Sequence, residues 1–539
     1  MDYDYKIVDN VIYTPNIKHQ PDARGIGWVY YESLFKHKNL VAQIDGLTGE
    51  KDTFGALLRR CVRTAIWLTE KGVQYGDVIS VCTYNHLNSC VPHISSMFIG
   101  AKIAALDPTI SLPNATHLFK IVMPKLIFVG EESVTLVENI IRDVGCKTII
   151  VVFGSTDKHI PFSELIKPNY EKELHFKPTT AKSVKDVAVV LFSSGTSGLP
   201  KGICHTHYSI LRLTTDAMKL GATSSLMFSS DSPYWNVFLF YLNHSIHHGV
   251  TRVVYSKFDK NSPWTIFTHE ITMAFLNITE LMILYNTPKP HYIDTSTLKL
   301  IVTAGSPVSA EQIMKARSCF PNALVRINYG QSEVFQTMLC FDPTNPKHVE
   351  LLKKKTNSCG LPKLGVNYKI VDMETGEALG ANQKGELRIK TELQLSGYYN
   401  MDSSDIWDED GWLKTGDYGY YDDDCCFYII DRIKEMFKYQ YFHIVPAVLE
   451  SILMTHPAVF RAVVIGIPHE IDEHHPMAVV QLKKKANVSE DEIVKYLENR
   501  VEDRQRLRGG VKFVENFPLT PSRKVNRWKL KQMVLQGEI

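Results

Sequence analysis

A run of hydroxyl residues and glycines at positions 193–202 carries the side chains best suited to chemistry. The preceding segment, Val187–Phe192, is uniformly apolar and rich in β-branched residues, which indicates a buried strand. Glycines can adopt the backbone angles of a concave anion nest, where hydroxyls and a lysine add donors and positive charge. The spacing differs from G-x-x-x-x-G-K-[ST], which argues against an ordinary P-loop hydrolase. We therefore predict a triphosphate site rather than a plain surface loop, made of Ser193, Ser194, Gly195, Thr196, Ser197, Gly198 and Lys201.

A second candidate is the pentapeptide at positions 329–333, which follows another predicted strand at 325–328. The ring of Tyr329 at a strand end can stack on a nucleotide base. The carboxylate of Glu333, four residues further on, can coordinate Mg²⁺. By itself the pattern is equally compatible with a Tyr-Gly turn followed by a solvated glutamate.

A third candidate pairs Asp417, in Thr415-Gly416-Asp417, with Arg432 fifteen residues later. A carboxylate and a guanidinium at strand ends can hold the two hydroxyls of a ribose. The alternative is a β-turn aspartate and an unrelated surface arginine. Lys524 is a fourth candidate, although a single lysine near a C-terminus is usually solvated.

In this order, these stretches resemble the adenylate-forming superfamily, which contains acyl-CoA synthetases, 4-coumarate–CoA ligases and beetle-type luciferases. The resemblance extends from about residue 46 to about residue 531. It is carried by the loop at 193–202, Tyr329 to Glu333, the run Asp-Gly-Trp-Leu-Lys-Thr-Gly-Asp at 410–417, and Pro-Ser-Arg-Lys-Val at 521–525.

The resemblance implies that ATP and Mg²⁺ convert a small carboxylic acid to acyl-AMP, which CoA then captures. One alternative sends the adenylate to O₂, as luciferases do, and another is a non-catalytic binding protein. By resemblance, the catalytic positions are Lys524, the mobile lysine of adenylation, Lys438, which serves the second step, and Asn236, at the position that gates the acyl pocket. Glu333 binds the metal by the same resemblance. The implied nucleotide site comprises the loop residues above with Ala304, Gly305, Ser306, Arg326, Tyr329, Gly330, Ser332, Asp417 and Arg432.

Two departures from the family pattern concern the acid and CoA. Asn236, in Pro233-Tyr234-Trp235-Asn236, stands where relatives carry histidine. Tyr441 stands where relatives carry glycine against the pantetheine arm, which puts the CoA step in question and leaves adenylation intact. The predicted acid pocket, suited to an aryl or medium-length acyl group, consists of Trp235, Asn236, Phe238, Gln331 and Thr337.

Alternating strand and helix patterns before residue 365 predict an α/β fold with layered, mostly parallel sheets. Short strands with Gly/Asp turns then predict a small β unit. We predict an N-terminal domain at 1–432 and a smaller α+β domain at 433–539, which the resemblance makes a mobile lid. Two helices are predicted at 203–220 and 489–504. Ser489 and Glu492 form a capping-box pattern at the start of the second, and Ser309 and Gln312 form the same pattern at the start of another helix.

The composition is that of a globular protein: 539 residues, 44% hydrophobic, 22% charged and a net charge of +2. This charge gives no support to nucleic-acid binding. The acidic N-terminus is no signal peptide, and no apolar run reaches the roughly 18 residues of a membrane span. Ten cysteines without paired spacing and a C-terminus other than Ser-Lys-Leu favour a cytoplasmic location. The sequence leaves the oligomeric state open.

Overall fold

A computed structural model describes residues 5–18, 20–193, 200–215, 226–440, 442–520 and 524–539 of the chain. Five residues of the predicted triphosphate site, Ser194 to Gly198, lie outside the described residues. Tyr441 also lies outside them. Within the described ranges, no helix combines the length and the apolar character needed to cross a bilayer.

The first seven-stranded sheet carries the loop at 193–202. Its strands are parallel except for one edge pair, in which Val187–Phe192 and Gly202–Thr206 run antiparallel on either side of that loop. Both strands are buried, so the loop between them leaves the sheet from a fixed base. The strand order is Gly202–Thr206, Val187–Phe192, Lys102–Leu106, Val78–Cys82, Leu126–Gly130, Ile149–Phe153 and Ile160–Pro161.

The second seven-stranded sheet is also mostly parallel, with one antiparallel edge pair. Its short central strands are apolar on both faces, as expected for a sheet covered by helices on each side. The strand Leu300–Thr303 runs directly into positions 304–306, and the strand Leu324–Ile327 runs directly into positions 328–333. The order is Leu324–Ile327, Leu300–Thr303, Met273–Phe275, Leu226–Ser229, Thr251–Val254, Val41–Asp45 and Lys51–Thr53.

The third sheet is antiparallel and contains the predicted small β unit. Its burial alternates along the strands, as in a sheet with one face packed on the core. It also includes two N-terminal strands that the sequence did not reveal. Its order is Lys6–Val8, Val11–Tyr13, Val366–Val371, Gly385–Thr391, Leu413–Tyr421 and Phe427–Arg432, with Ala378–Leu379 beside the third strand. A separate pair joins Leu339–Cys340 to Leu361–Pro362.

Helices cover these sheets, and local sequence explains several of their first residues. Thr53 caps Phe54–Glu70 through its hydroxyl, and Ser309 and Gln312 form the predicted capping box of Ala310–Cys319. The remaining α-helices before residue 433 are Ile26–Lys36, Val91–Ile99, Leu112–Val122, Val134–Val144, Phe162–Leu165, Tyr170–His175, His207–Thr215, Asn236–His248, Ile278–Asn286 and Pro346–Lys354. The 3₁₀ turns there are Glu131–Ser133, Pro263–Thr268 and Ser404–Ile406.

The C-terminal part has its own sheet and its own buried clusters, made of residues 439–530. The predicted boundary after Arg432 falls between the last strand of the third sheet and the first strand of this fourth sheet. The fourth sheet has the order Phe442–Ile444, Phe437–Tyr439, Glu473–Leu482 and Val459–His469, with Val511–Phe513 beside Glu473–Leu482. Its helices are Pro446–Leu453, Glu490–Glu498 and Arg527–Leu535, with 3₁₀ turns Ile433–Glu435 and Asp503–Gln505.

Two predicted helices differ from the structure. The segment predicted as a helix at 203–220 begins as the strand Gly202–Thr206 and becomes helical only at His207–Thr215, with 216–225 outside the described residues. The helix predicted at 489–504 has the expected Ser489 cap but ends at Glu498. In the first case pairing with Val187–Phe192 outweighs local helix propensity.

Candidate active site

A cavity of about 1110 Å³ lies between the large N-terminal part and the C-terminal domain. The ends of strands from the first three sheets open into it, and the C-terminal domain covers one side. Most of the predicted and described site residues line it, namely Ser193, Lys201, Trp235, Asn236, Ala304, Gly305, Ser306, Tyr329, Gly330, Gln331, Ser332, Glu333, Thr337, Asp417, Arg432 and Lys524.

The carboxylate of Asp417 is the centre of a buried polar group at one end of this cavity. Its position is fixed because Asp417 and Arg432 are directly opposite each other on neighbouring strands of the third sheet. Arg432 Nε lies 2.6 Å from Asp417 Oδ1, while the Tyr329 hydroxyl donates to Oδ2 at 2.5 Å. The Gln331 amide nitrogen donates to the same Oδ2 and, at 2.8 Å, to the Thr415 carbonyl.

The charge of Asp417 also changes the protonation equilibria of the side chains that contact it. The Asp417 carboxylate raises the pKa of Arg432. Burial, followed by the Asp417 charge, raises the pKa of Tyr329 well above its ordinary value, so the phenol stays protonated and donates its hydrogen bond. The Tyr329 ring is thereby held at a fixed orientation, while the 42% exposed guanidinium of Arg432 is reached from the cavity.

Lys524 enters the cavity from the C-terminal domain and lies against Gly305. A Cβ atom built on Gly305 would lie 3.6 Å from Lys524 Cε and 3.7 Å from Trp235 Cζ2. Gly305 also has a φ of +92°, a conformation that favours glycine. Burial, reinforced by the positive charge of Arg432, lowers the pKa of Lys524 to about 8. The charges of Asp417 and Glu333 act in the opposite direction and favour the ammonium form.

Contacts between the two domains hold Lys524 in this place. Arg461 of the C-terminal domain donates to the Thr279 hydroxyl at 3.2 Å, and burial lowers the pKa of its guanidinium to about 10. The Gln312 amide nitrogen lies 3.7 Å from the sulfur of Met454. These contacts help to set the observed orientation of the C-terminal domain.

Ser193 and Lys201 close the base of the predicted phosphate loop. The Ser193 N–H donates to the Lys201 carbonyl, and the Lys201 N–H donates to the Ser193 hydroxyl, each at 2.9 Å. The ammonium of Lys201 lies 4.5 Å from the centre of the Tyr398 ring. This pairing brings both ends of the loop to the cavity wall.

Glu333 brings an acidic side chain to the same cavity. Its backbone is fixed, since the Leu395 N–H donates to the Glu333 carbonyl at 2.7 Å, and His205 Nε2 lies 2.6 Å from the Ser332 carbonyl. A carboxylate oxygen is the ligand type that Mg²⁺ prefers. The position of Glu333 in the cavity therefore fits the predicted metal role.

The helix Asn236–His248 supplies the predicted acid pocket, but with a different phenylalanine. Phe238 is buried against His93, at a ring distance of 5.1 Å, and does not line the cavity. Each helical residue turns by 100°, so Phe238 lies nearly opposite Asn236 while Phe240 shares its face. Phe240 lines the cavity and stacks on Phe335 at 4.9 Å. A helix wheel starting from Asn236 would have identified it.

Two further predicted residues do not reach the cavity. Arg326 is almost completely buried, and its guanidinium donates to the Phe341 carbonyl at 2.7 Å, so it joins neighbouring segments of the fold instead of facing a nucleotide. Lys438 is exposed on the strand Phe437–Tyr439 and is absent from the cavity lining. Its role in a second step stays a prediction.

The sequence analysis missed two polar residues of the cavity wall, Asn328 and Gln336. Both side chains are buried. Among the residues that the structure describes, neither amide atom of Gln336 nor the Asn328 side-chain oxygen has a hydrogen-bond partner. Buried amides without partners are costly, which makes both groups candidates for contacts with a ligand or water. Gln336 lies only three residues beyond Glu333, and this short spacing is the one signal that could have indicated it.

Comparison with known proteins identifies this arrangement. The family model described as "AMP-binding enzyme" matches residues 31–399, and that of the "AMP-binding enzyme C-terminal domain" matches residues 448–524. The chain is 29% identical to 4-coumarate–CoA ligase 3 of Oryza sativa subsp. japonica, covering 92% of this chain and 89% of the relative. It is 28% identical to luciferin 4-monooxygenase of Photuris pensylvanica, covering 97% and 98%.

A solved structure agrees with these relatives. The luciferase-like enzyme from the nonluminescent mealworm Zophobas morio is 36% identical, with a TM-score of 0.74, over 79% of this chain and all of that one. The first family model alone spans well over half of the 539 residues. The chain therefore belongs to the AMP-binding enzymes, the adenylate-forming superfamily of acyl-CoA ligases and insect luciferase-like proteins.

Proposed function

We propose that this protein uses ATP and Mg²⁺ to activate a small carboxylic acid as acyl-AMP, and then transfers the acyl group to CoA. The observation that carries the first step is the position of Lys524. This half-buried cation lies against Gly305, in the cavity that also holds Glu333 and Asp417. An ammonium partly shielded from water beside both an acid pocket and a nucleotide pocket suits a reaction that joins a carboxylate to a phosphate.

In the proposed step, a carboxylate oxygen of the acid attacks the α-phosphorus and the bond to the bridging oxygen breaks, releasing pyrophosphate. The Lys524 ammonium offsets the negative charge of the attacking carboxylate and the α-phosphate oxygens. The Lys201 ammonium is available for the outer phosphates from the base of the loop. Bound through Glu333, Mg²⁺ would neutralise charge on the triphosphate.

The group around Asp417 is proposed to orient the nucleoside. Asp417 already accepts from Tyr329, Gln331 and Arg432, so its carboxylate is held rigidly at the cavity wall. A ribose hydroxyl can then exchange for one of these donors or bind the exposed guanidinium of Arg432. Such preorganisation lowers the entropy cost of placing the α-phosphate beside Lys524.

Separate assays of the two half-reactions test this assignment. Lys524→Ala should lower acyl-AMP formation by roughly 10²–10³, the typical cost of removing one charge-stabilising group. Use of pre-made acyl-AMP with CoA should stay within about threefold, because that step does not need the cation at Gly305. Lys438→Ala is the matched control and should show the reverse pattern. Equal loss of both half-reactions in Lys524→Ala would contradict the proposal.

The fate of the adenylate is the finer part of the proposal. Transfer to CoA is supported by the likeness to a 4-coumarate–CoA ligase, and by the description of the mealworm relative as coming from a nonluminescent animal. The likeness to luciferin 4-monooxygenases supports oxidation by O₂ as the second candidate. The purified protein is given Mg-ATP, a mixed acid pool and oxygen, with and without CoA. Mass spectrometry of the products, together with a record of emitted light, distinguishes the two candidates. Acyl-CoA formed only with CoA supports the ligase, whereas an oxidised product with emission supports the second candidate.

A further inference from the structure

Residues 469–475 comprise the turn between the strands Val459–His469 and Glu473–Leu482 of the fourth sheet, together with the strand residues that flank it. This turn carries a group of side chains outside the cavity lining. His469, Asp472 and His475 follow one another at intervals of three residues, and their potential ligand atoms all lie within 4.8 Å of one another. Among the residues that the structure describes, this is the only group of three or more such side chains so closely placed.

The two imidazoles face the same carboxylate oxygen. His475 Nε2 lies 2.7 Å from Asp472 Oδ2, and His469 Nδ1 lies 3.5 Å from that oxygen. The two rings stack with centres 3.8 Å apart and an angle of 16° between their planes. Two nitrogen ligands and one oxygen ligand are thus already gathered around one point at the surface of the domain.

The other oxygen of Asp472 is held by the neighbouring turn. The Gln440 amide nitrogen donates to Asp472 Oδ1 at 2.5 Å, and the Gln440 N–H donates to the Asp472 carbonyl at 3.2 Å. Outer hydrogen bonds of this kind orient the carboxylates of metal sites, leaving one oxygen for the ion. Gln440 has a φ of +46°, in the left-handed region that residues other than glycine seldom adopt.

We propose that His469, Asp472 and His475 form a binding site for a divalent transition metal of the zinc class. Two imidazoles with one carboxylate match such ions, whereas Mg²⁺ prefers oxygen ligands alone. Metal–ligand bonds of about 2.0–2.2 Å require ligand atoms to be about 3.3–3.5 Å apart. The site therefore closes when the two stacked rings tilt, so that their nitrogen lone pairs converge, and the ligand atoms move by about 1 Å. The side chains are 39%, 14% and 20% exposed, which leaves an entry path and a coordination position for water.

Binding exchanges weak contacts for ligand bonds. The ion takes the place of the proton that His475 Nε2 directs at Asp472, and the neutral ring then carries its proton on Nδ1. The ion also replaces the 3.2 Å contact from the Asp472 N–H to His469 Nδ1. Gln440 can keep its bond to the other carboxylate oxygen. The ion would therefore link the turn at 469–475 to the turn that follows the strand Phe437–Tyr439, on which Lys438 lies.

Calorimetry with the full chain tests the site. The protein is stripped with a chelator, the chelator is removed, and Zn²⁺ is added in the presence of excess Mg²⁺ and without nucleotide. We expect one equivalent to bind, and Asp472→Asn or His475→Ala to weaken binding by at least about tenfold. His475→Gln replaces His475→Ala if the latter does not fold, as judged by its melting temperature in chelator.

Two control variants sharpen this result. His474 belongs to the same turn, but its ring packs toward Phe437 at 5.9 Å, so His474→Ala should retain binding. Glu333→Gln should also retain it, because Glu333 lies in the cavity. Absence of saturable binding, loss in His474→Ala equal to that in His475→Ala, or loss in Glu333→Gln would each overturn the proposal.

Discussion

Lys524 is the side chain whose protonation the proposed first step depends on. Because burial lowers its pKa to about 8, raising the pH through this value removes the ammonium from the free enzyme. We therefore expect kcat/KM for acyl-AMP formation to fall about tenfold per pH unit at alkaline pH and to level off below about pH 7. A profile of pyrophosphate release against pH measures this limb.

The matched control keeps the charge. Lys524→Arg carries a guanidinium that stays protonated across the same pH range, so its lower activity should not decline between about pH 7 and 9.5. An unchanged alkaline limb in this variant would assign the titration to another group.

Gln336 gives a prediction about the acid itself. Its amide is buried without a described partner and follows Phe335, which packs on the cavity residue Phe240. We expect the favoured acids to carry a hydrogen-bonding group that reaches this amide. Gln336→Leu should lower kcat/KM for such an acid by about 10–100-fold, since its polar group would then be buried unpaired. The unsubstituted analogue should be unaffected or improved, and equal losses for both acids would contradict this role.

Asp417 and Arg432 were predicted to lie at strand ends. Arg432 does end its strand, whereas Asp417 lies in the middle of Leu413–Tyr421, and the two meet because these strands pair there. Arg326 does not line the cavity because its guanidinium donates to the Phe341 carbonyl, a contact between distant segments that the sequence does not reveal. Asn328 and Gln336 were missed because a missing hydrogen-bond partner leaves no trace in sequence.

At the scale of elements, the two faces of the helix Asn236–His248 have different roles: one lines the cavity and the other packs in the core. Phe240→Ala should change the preference among acids, because this ring lines the cavity. Phe238→Ala should instead lower the free energy of unfolding by about 3–5 kcal/mol, the usual cost of removing a buried phenylalanine, with little effect on acid preference. Denaturant unfolding and a panel of acids measure the two effects. A change of preference in Phe238→Ala larger than that in Phe240→Ala would contradict the assignment of faces.

The strand–helix alternation of the parallel sheets could be predicted because several of their strands are short, apolar and separated by amphipathic helices. The strand Gly202–Thr206 could not, since its hydrogen bonds go to a partner across the phosphate loop. Helix Glu490–Glu498 shows the complementary case. Its Ser489 cap is a local signal and was predicted, whereas its last residue, Glu498, was predicted six residues too late.

For the whole molecule, the interface between domains offers a way to change one half-reaction alone. The half-buried guanidinium of Arg461 donates to the Thr279 hydroxyl across that interface. Thr279→Val removes the acceptor and should slow acyl-AMP formation by about three- to tenfold, because a lost hydrogen bond to a charged group weakens the orientation that brings in Lys524. The reaction of pre-made acyl-AMP with CoA is the readout that should stay unchanged. Slowing of both reactions would show that the contact acts on stability and not on domain orientation.

The division into two parts could be predicted because the pattern of strands and turns changes near residue 433. How the parts meet could not. The contacts that place Lys524 beside Gly305 involve single side chains from distant positions, and no local pattern records them. The mobility of the C-terminal domain stays a prediction.

The strands Lys6–Val8 and Val11–Tyr13 can join the third sheet only late in the synthesis of the chain. Ile12 pairs with Tyr368, and the Thr14 hydroxyl donates to the Val366 carbonyl at 2.7 Å. At ordinary translation rates the ribosome needs on the order of tens of seconds to make the intervening segment. During this time the strand Val11–Tyr13 lacks its partner Val366–Val371, and its unpaired edge is a site where chaperones or other nascent chains can bind. The third sheet is thus completed late, only after most of the large domain has left the ribosome.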